Sequence, residues 1–301
     1  MLTRLKMQAM FTGTYTAIVT PFRNGNVDEA AFARLIARQI KGGIDGIVPV
    51  GTTGESPTVD YEEHIHIIKL AVNYAAGKIK VLAGTGANAT REAVHLTTEA
   101  EKAGADGSLQ VAPYYNKPTQ EGLFQHFREI ARHTKLPIVL YSIPSRCGIE
   151  IAVDTVQRLA AQCPNLVGIK ESGGNCDRVT QLRAALGPRF SILSGDDALT
   201  LPFMSVGAHG VISVASNVVP RDVSRMVAGY ATGRTREALR LHDKLAPLVK
   251  GMFLETNPVP VKAALAMLGL IEEEYRLPLA PLSAKNREAL RAILKDYGLL
   301  K

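Results

Sequence analysis

The sequence predicts a closed (β/α)8 TIM barrel followed by a C-terminal helical extension. Three observations lead there. Eight short apolar runs alternate with segments of helical period, at residues 16–20, 46–50, 80–84, 108–112, 137–141, 166–170, 191–195 and 210–214. None of the eight shows the in-and-out alternation of a one-sided sheet, so both faces are covered, as in parallel sheets. Their starts lie about 20 to 35 residues apart with no second block of strands, which favours a closed barrel over a doubly wound open sheet.

The helices between them carry readable punctuation. Asp28 is placed to cap a helix whose apolar face is Phe32, Leu35, Ile36 and Ile40. Asp60 followed by Glu63 is a capping-box pattern ahead of Ile65, Ile68 and Val72. Thr90 is read as the cap of the next helix, and Thr119 as the cap of one carrying Leu123, Phe124, Phe127 and Ile130. Gly42, Gly43, Gly77 and Gly104 sit where helices should end. After about residue 220 the strand signals stop. Segments 221–231, 234–250, 257–268 and 284–297 all read as helices. The organisation expected is an extension over 1–10, a catalytic barrel over 11–232 and a helical domain over 233–301, with translation starting at Met1, Met7 or Met10.

Composition narrows the function classes. Hydrophobic residues at 46% and charged residues at 21% describe a globular chain rather than a disordered one. No apolar run approaches a membrane span, and residues 1–10 lack the apolar stretch of a signal peptide. Cys147, Cys163 and Cys176 form no CxxC and no even framework, which reads as reduced thiols in the cytoplasm. The net charge of +7 is spread among acids along helical stretches, with no Lys/Arg-rich run. Nucleic acid is therefore not the expected partner, and small anionic substrates are.

In such a barrel the active site lies at the C-terminal ends of the strands. That rule selects Gly51-Thr52-Thr53-Gly54-Glu55, Pro113-Tyr114-Tyr115-Asn116, Tyr141 to Arg146, Lys170-Glu171-Ser172 and Gly195-Asp196-Asp197. Lys170 is the only lysine directly at the end of an apolar strand. Burial there would favour its neutral, nucleophilic amine, and the chemistry such a lysine does best is Schiff-base formation with a carbonyl substrate. A structural ion pair with Glu171 or an aspartate, or a clamp on phosphate or carboxylate, are the alternatives left open. Tyr141, one strand over at the same height, could relay protons with hydroxyls such as Thr52 and Thr53. By itself it equally fits a core tyrosine, and Gly-Thr-Thr-Gly equally fits an ordinary turn. His64 and His66 lie at i and i+2 on a helix and His209 is isolated, so no metal is expected. Gly84-Thr85-Gly86-Ala87-Asn88-Ala89 has dinucleotide-fingerprint spacing. However, it falls on the third unit and lacks an acidic ribose anchor, so no nucleotide is expected either.

The motifs GTTGES (51–56), APYYNKP (112–118), YSIPSRCG (141–148), GIKES (168–172), SGDD (194–197) and GVISV (210–214) occur in one order. With them the chain resembles, over residues 13–300, the pyruvate-dependent class I aldolase family of dihydrodipicolinate synthase and N-acetylneuraminate lyase. The resemblance implies that Lys170 forms the imine with pyruvate. It implies a relay from Tyr141 through Thr52 to Tyr115, which would reach the site from a neighbouring subunit. Thr53 would hold the pyruvate carboxylate, with backbone carbonyls of Gly195 and Ile212 shaping the pocket. Sialic acid lyases resemble GSTGE at the first motif and lack an arginine after the fifth strand. Thr52 and Arg146 therefore place this chain nearer the synthases, where the arginine grips the carboxylate of (S)-aspartate 4-semialdehyde. The implied reaction condenses that aldehyde with pyruvate at the entry to lysine synthesis through diaminopimelate. It needs no cofactor and is run by a homotetramer built as a dimer of dimers. Ser56, His64, Asn88, Glu92 and Tyr114 match an allosteric cleft for free lysine. Ser142 and Cys147 depart from the Asn and Thr typical of the synthases. A sister aldolase or dehydratase acting on a 2-keto-3-deoxy sugar acid, and a catalytically inactive binding protein, are the competing readings.

Overall fold

Eight parallel strands close into a barrel in the computed structural model, which describes residues 9–301. Most of the 1–10 extension, with the Met1 and Met7 starts, lies outside the described residues. Strand β1 (Gly13–Ala17) leads to an antiparallel hairpin, β2 (Phe22–Arg23) and β3 (Asn26–Val27), and then to α1 (Glu29–Lys41). Strand β4 (Gly46–Val48) is followed by α2 (Tyr61–Ala75), β5 (Lys80–Gly84) by α3 (Thr90–Lys102), and β6 (Gly107–Val111) by α4 (Gln120–Arg132). After β7 (Ile138–Ser142) come a four-residue helix α5 (Pro144–Cys147) and α6 (Val153–Gln162). Then β8 (Leu166–Glu171) precedes α7 (Cys176–Leu186), β9 (Ser191–Ser194) precedes α8 (Thr200–Ser205), and β10 (Gly210–Ser213) precedes α9 (Pro220–Ala231). Helices α10 (Thr235–Gly251), α11 (Val259–Met267) and α12 (Ala284–Asp296) follow. Around the barrel the order is β1-β10-β9-β8-β7-β6-β5-β4.

The capping residues explain where helices start. Asp28 accepts the Ala31 amide at 2.9 Å, Asp60 accepts the Glu63 amide at 2.8 Å, and Thr119 accepts the Gly122 amide at 3.2 Å. Thr90 corrects the expectation. Ala89 holds the cap position without a side-chain bond, and Thr90 is the first helical residue. Its hydroxyl pairs with His126 Nδ1 at 2.9 Å instead, because that ring is buried and needs a partner.

The contacts divide the chain into two compact units. One holds Leu82–Ile212 and the residues up to Gly13, and so includes β6 to β9 and α3 to α8. Its interior contains a polar knot in which Gln110 Nε2 donates to Thr85, Thr97 and Ser108 at 2.7–2.8 Å. The other holds Thr14–Val81 and Ser213–Lys301, with β4, α1, α2 and α9 to α12. Within it Arg38 of α1 donates to the carbonyls of Asn217 and Val218 at 2.7 and 2.5 Å, securing the turn ahead of α9. Phe32, Leu35 and Ile36 of α1 are buried as their spacing predicts, each contributing about 1.5–3 kcal/mol.

Candidate active site

In the first unit, β7 and β8 pair so that Tyr141 stands opposite Lys170. Lys170 is 6% exposed, and its Nζ lies 3.9 Å from the centroid of the Tyr141 ring. No carboxylate pairs with Lys170 among the described residues. The ion pair with Glu171 that the sequence left open does not form. Glu171 is fully buried and bound elsewhere: Oε2 accepts Arg178 Nε at 2.8 Å and Oε1 accepts the Gly173 amide at 2.6 Å. Burial pushes the Glu171 carboxyl above the usual carboxylate range, opposed by the Arg178 guanidinium and the Gly173 amide. Lys170 is thus a buried amine over an aromatic face, with no anion holding it.

Gly195 borders the same lysine. Its amide donates to the Glu171 carbonyl at 2.8 Å. A Cβ there would lie 2.8 Å from Lys170 Cε and 1.8 Å from the Ser172 hydroxyl, so only glycine fits. Ile212 on β10 is fully buried. The Ser172 hydroxyl is buried and makes no hydrogen bond among the described residues.

The loop after β6 carries Tyr114 and Tyr115. Tyr115 has φ +72° and is 91% exposed, an unusual combination for a large aromatic residue. Asn88 donates to the Tyr114 carbonyl at 3.3 Å, and Asn116 donates to the Asn88 carbonyl at 2.9 Å, so the loop is tied to the segment before α3. Glu92 lies in the first turn of α3, half-buried. Arg146 is exposed on α5. Beside it, the Cys147 thiol donates to the Ala112 carbonyl at 3.2 Å, and burial pushes that thiol up to about 11.

The second unit carries the Gly51–Glu55 turn, residues 51–55, beyond β4. The Gly54 amide donates to the Gly51 carbonyl at 3.0 Å, and Thr20 donates to the Gly54 carbonyl at 2.7 Å. Thr53 is buried and accepts from Asn257 Nδ2 at 2.9 Å; Thr52 is partly exposed. Glu55 has φ +59° and forms an ion pair with Lys262 of α11, both side chains being fully buried. Ser56 begins a 3₁₀ turn, and His64 is buried on α2.

The structure brings the expected residues Lys170, Tyr141 and Gly195 together, and places the threonine turn beyond β4. Sequence reasoning did not single out Arg178, which binds Glu171 next to Lys170, or Asn257 and Lys262, which bind Thr53 and Glu55 from far along the chain. One signal was present: Lys262 interrupts the otherwise apolar run of residues 259–265. Among the described residues no cluster of three His, Cys, Asp or Glu side chains could hold a metal, and no helix is long and apolar enough to cross a membrane.

The chain as a whole is similar to known proteins. The model of the dihydrodipicolinate synthetase family matches residues 10–297. A curated relative from Persephonella marina, named 4-hydroxy-tetrahydrodipicolinate synthase, is 52% identical, covering 97% of this chain and 100% of its own. The solved 4-hydroxy-tetrahydrodipicolinate synthase of Methylacidiphilum fumariolicum is 60% identical with a TM-score of 0.95, covering 96% of each chain. A dihydrodipicolinate synthase of Acinetobacter baumannii, solved with pyruvate, is 45% identical with a TM-score of 0.93, covering 96% of this chain and 99% of that one.

Proposed function

This chain belongs to the dihydrodipicolinate synthetase family, and from that membership we propose that it carries out the 4-hydroxy-tetrahydrodipicolinate synthase reaction. It is an enzyme of small molecules, joining pyruvate to (S)-aspartate 4-semialdehyde at the start of the lysine branch. The observation that carries the reading is Lys170: buried, paired with no carboxylate among the described residues, and in register with Tyr141. The neutral Nζ adds to the C2 carbonyl of pyruvate, and the carbinolamine loses water to give the imine. Loss of a C3 proton gives the enamine, whose carbon attacks the aldehyde. The amine of the semialdehyde then adds to the imine carbon, closing the ring and releasing Lys170.

In this reading Tyr141, Thr52 and the partner subunit's Tyr115 move the protons. Thr53 holds the pyruvate carboxylate. The Thr53 hydroxyl already accepts from Asn257, which turns its own proton outward as a donor. The barrel of residues 11–232 carries the chemistry, the helices of 233–301 brace it, and the compartment is the cytoplasm. Assay with pyruvate and each aldehyde decides the substrate: turnover with aspartate semialdehyde supports the reading, and turnover only with glyceraldehyde-type partners replaces it by the sugar-acid aldolase.

Arg146 selects the aldehyde, since a guanidinium meets a carboxylate with two parallel hydrogen bonds. Arg146→Ala should raise KM for aspartate semialdehyde about ten- to 150-fold, the equivalent of about 1.5–3 kcal/mol, with pyruvate trapping intact. Equal damage to trapping, read by borohydride reduction, would assign Arg146 to the fold instead.

The assembly in this reading is a tetramer of tight dimers, supported by the exposed and strained Tyr115. Light scattering at assay concentration should give a mass near four times 32.4 kDa. A fully active monomer contradicts a relay that borrows Tyr115.

Free lysine inhibits through Ser56, His64, Asn88, Glu92 and Tyr114. The Asn88–Tyr114 bond supports this, because it links the proposed cleft to the residue next to Tyr115. Millimolar lysine should slow the wild type and not Glu92→Ala. Unchanged activity of the wild type at every lysine concentration removes the site.

A further inference from the structure

Arg178 stands at the junction of the two substrate readings. It projects from α7 and is 6% exposed. Its Nε donates at 2.8 Å to Oε2 of Glu171, the residue after Lys170 on β8. Its Nη2 donates to the Ile151 carbonyl at 2.5 Å, and its Nη1 lies 3.3 Å from Glu150 Oε2. The segment it grasps ends the excursion from β7 that bears Arg146. That excursion leaves the barrel at Ile143, turns through α5 and a left-handed Gly148 (φ +72°), and returns at Ile151. At its return the Ile151 amide also donates to the Ser142 hydroxyl at 3.4 Å. Ser142 sits next to Tyr141, and its carbonyl accepts the Ser172 amide at 2.9 Å. One guanidinium therefore anchors the Arg146 excursion to the strand of the imine lysine.

A planar fork suits this task. It donates in two directions at once, to Glu171 and to a backbone carbonyl, at fixed mutual angles. A lysine ammonium at the same place can neutralise Glu171 but cannot hold Ile151 in the same geometry.

We propose that Arg178 is a positioning residue for the second substrate: it fixes the return of the 143–151 excursion and thereby the reach of Arg146. The inference rests on the reading of Arg146 as the aldehyde carboxylate's partner. It predicts damage confined to one substrate, because Glu171 stays paired when Arg178 becomes lysine.

The test is a kinetic cycle on the full-length enzyme with Arg178→Lys, Arg146→Ala and the double variant. Arg178→Lys should raise KM for aspartate semialdehyde about five- to 30-fold while borohydride still traps pyruvate on Lys170 at the wild-type rate. The double variant should match Arg146→Ala alone, since a residue acting through Arg146 has nothing left to position. Ser142→Ala, which removes the other anchor of Ile151, should show the same signature at about two- to fivefold and serves if Arg178→Lys folds poorly. Multiplying KM effects in the double variant, or parallel loss of trapping in Arg178→Lys, overturns the proposal in favour of a purely structural ion pair. An unchanged aldehyde KM in Arg146→Ala marks the different failure, that of the Arg146 reading, and removes the route along with it.

Discussion

Lys170→Ala should abolish turnover, with kcat falling at least about 10³-fold, because the nucleophile proposed to form the imine is gone. Lys170→Arg fails equally, since a guanidinium stays protonated at any working pH and cannot add to a ketone. Neither change should unfold the protein. Among the described residues Lys170 makes no ion pair that its removal would orphan, and Glu171 keeps Arg178 and the Gly173 amide. Steady-state assay beside a thermal melt separates the effects: the expected pair is dead enzyme with a melting temperature near that of the wild type. A variant of either kind that keeps a tenth of wild-type activity removes Lys170 from the chemistry.

Lys262→Met is expected to be the most destabilising single change outside the reacting groups. Lys262 and Glu55 are both fully buried and paired. The Arg276 amide, at 3.4 Å, is the other donor near Glu55. Burial lowers the pKa of Lys262, and the Glu55 carboxylate works against that, so the amine depends on its partner. Removing the ammonium leaves a carboxylate in an apolar interior, which costs about 3–5 kcal/mol. For a chain of this size that is a fall in melting temperature of about 6–10 °C at fixed protein concentration and scan rate. Adding Glu55→Gln to Lys262→Met should recover most of the loss, because the uncompensated charge is then gone. A fall under about 2 °C in the single variant, or no recovery in the double, means the pair is dispensable.

Much of the barrel was legible because strands covered on both faces must be apolar throughout, and that pattern survives without any knowledge of pairing. Apolarity reports burial rather than ladder position, and the boundaries show the difference. The first run, residues 16–20, extends past the ladder, which spans Gly13–Ala17. Ile18 and Val19 are buried in the turn beyond it, where the Val19 amide donates to Asn217 Oδ1. The second run ends early because Val50 takes φ +50° and leaves the strand direction. The hairpin of β2 and β3 went unread although Asn24-Gly25, at φ +53° and +81°, is the turn pair such hairpins favour.

The residues proposed to react were picked out for another reason. A lysine at the end of an apolar strand has few uses, and the strand-end rule of barrels turns position into role. Asn257 and Lys262 escaped because their partners are distant in sequence: Asn257 meets Thr53 across 204 positions, and Lys262 meets Glu55 across 207. On α7 the buried neighbours Val179 and Leu182 describe an ordinary apolar face, and nothing local marks Arg178 as the group that binds β8 to the Arg146 excursion.

In the proposed mechanism Lys170 becomes covalently attached to pyruvate. Incubating the enzyme with pyruvate and borohydride, then digesting and mapping peptides by mass, tests it directly. One reduced pyruvate adduct is expected, on the peptide containing Lys170 and absent in Lys170→Ala. An adduct on another lysine, or full activity with no adduct on any, contradicts it.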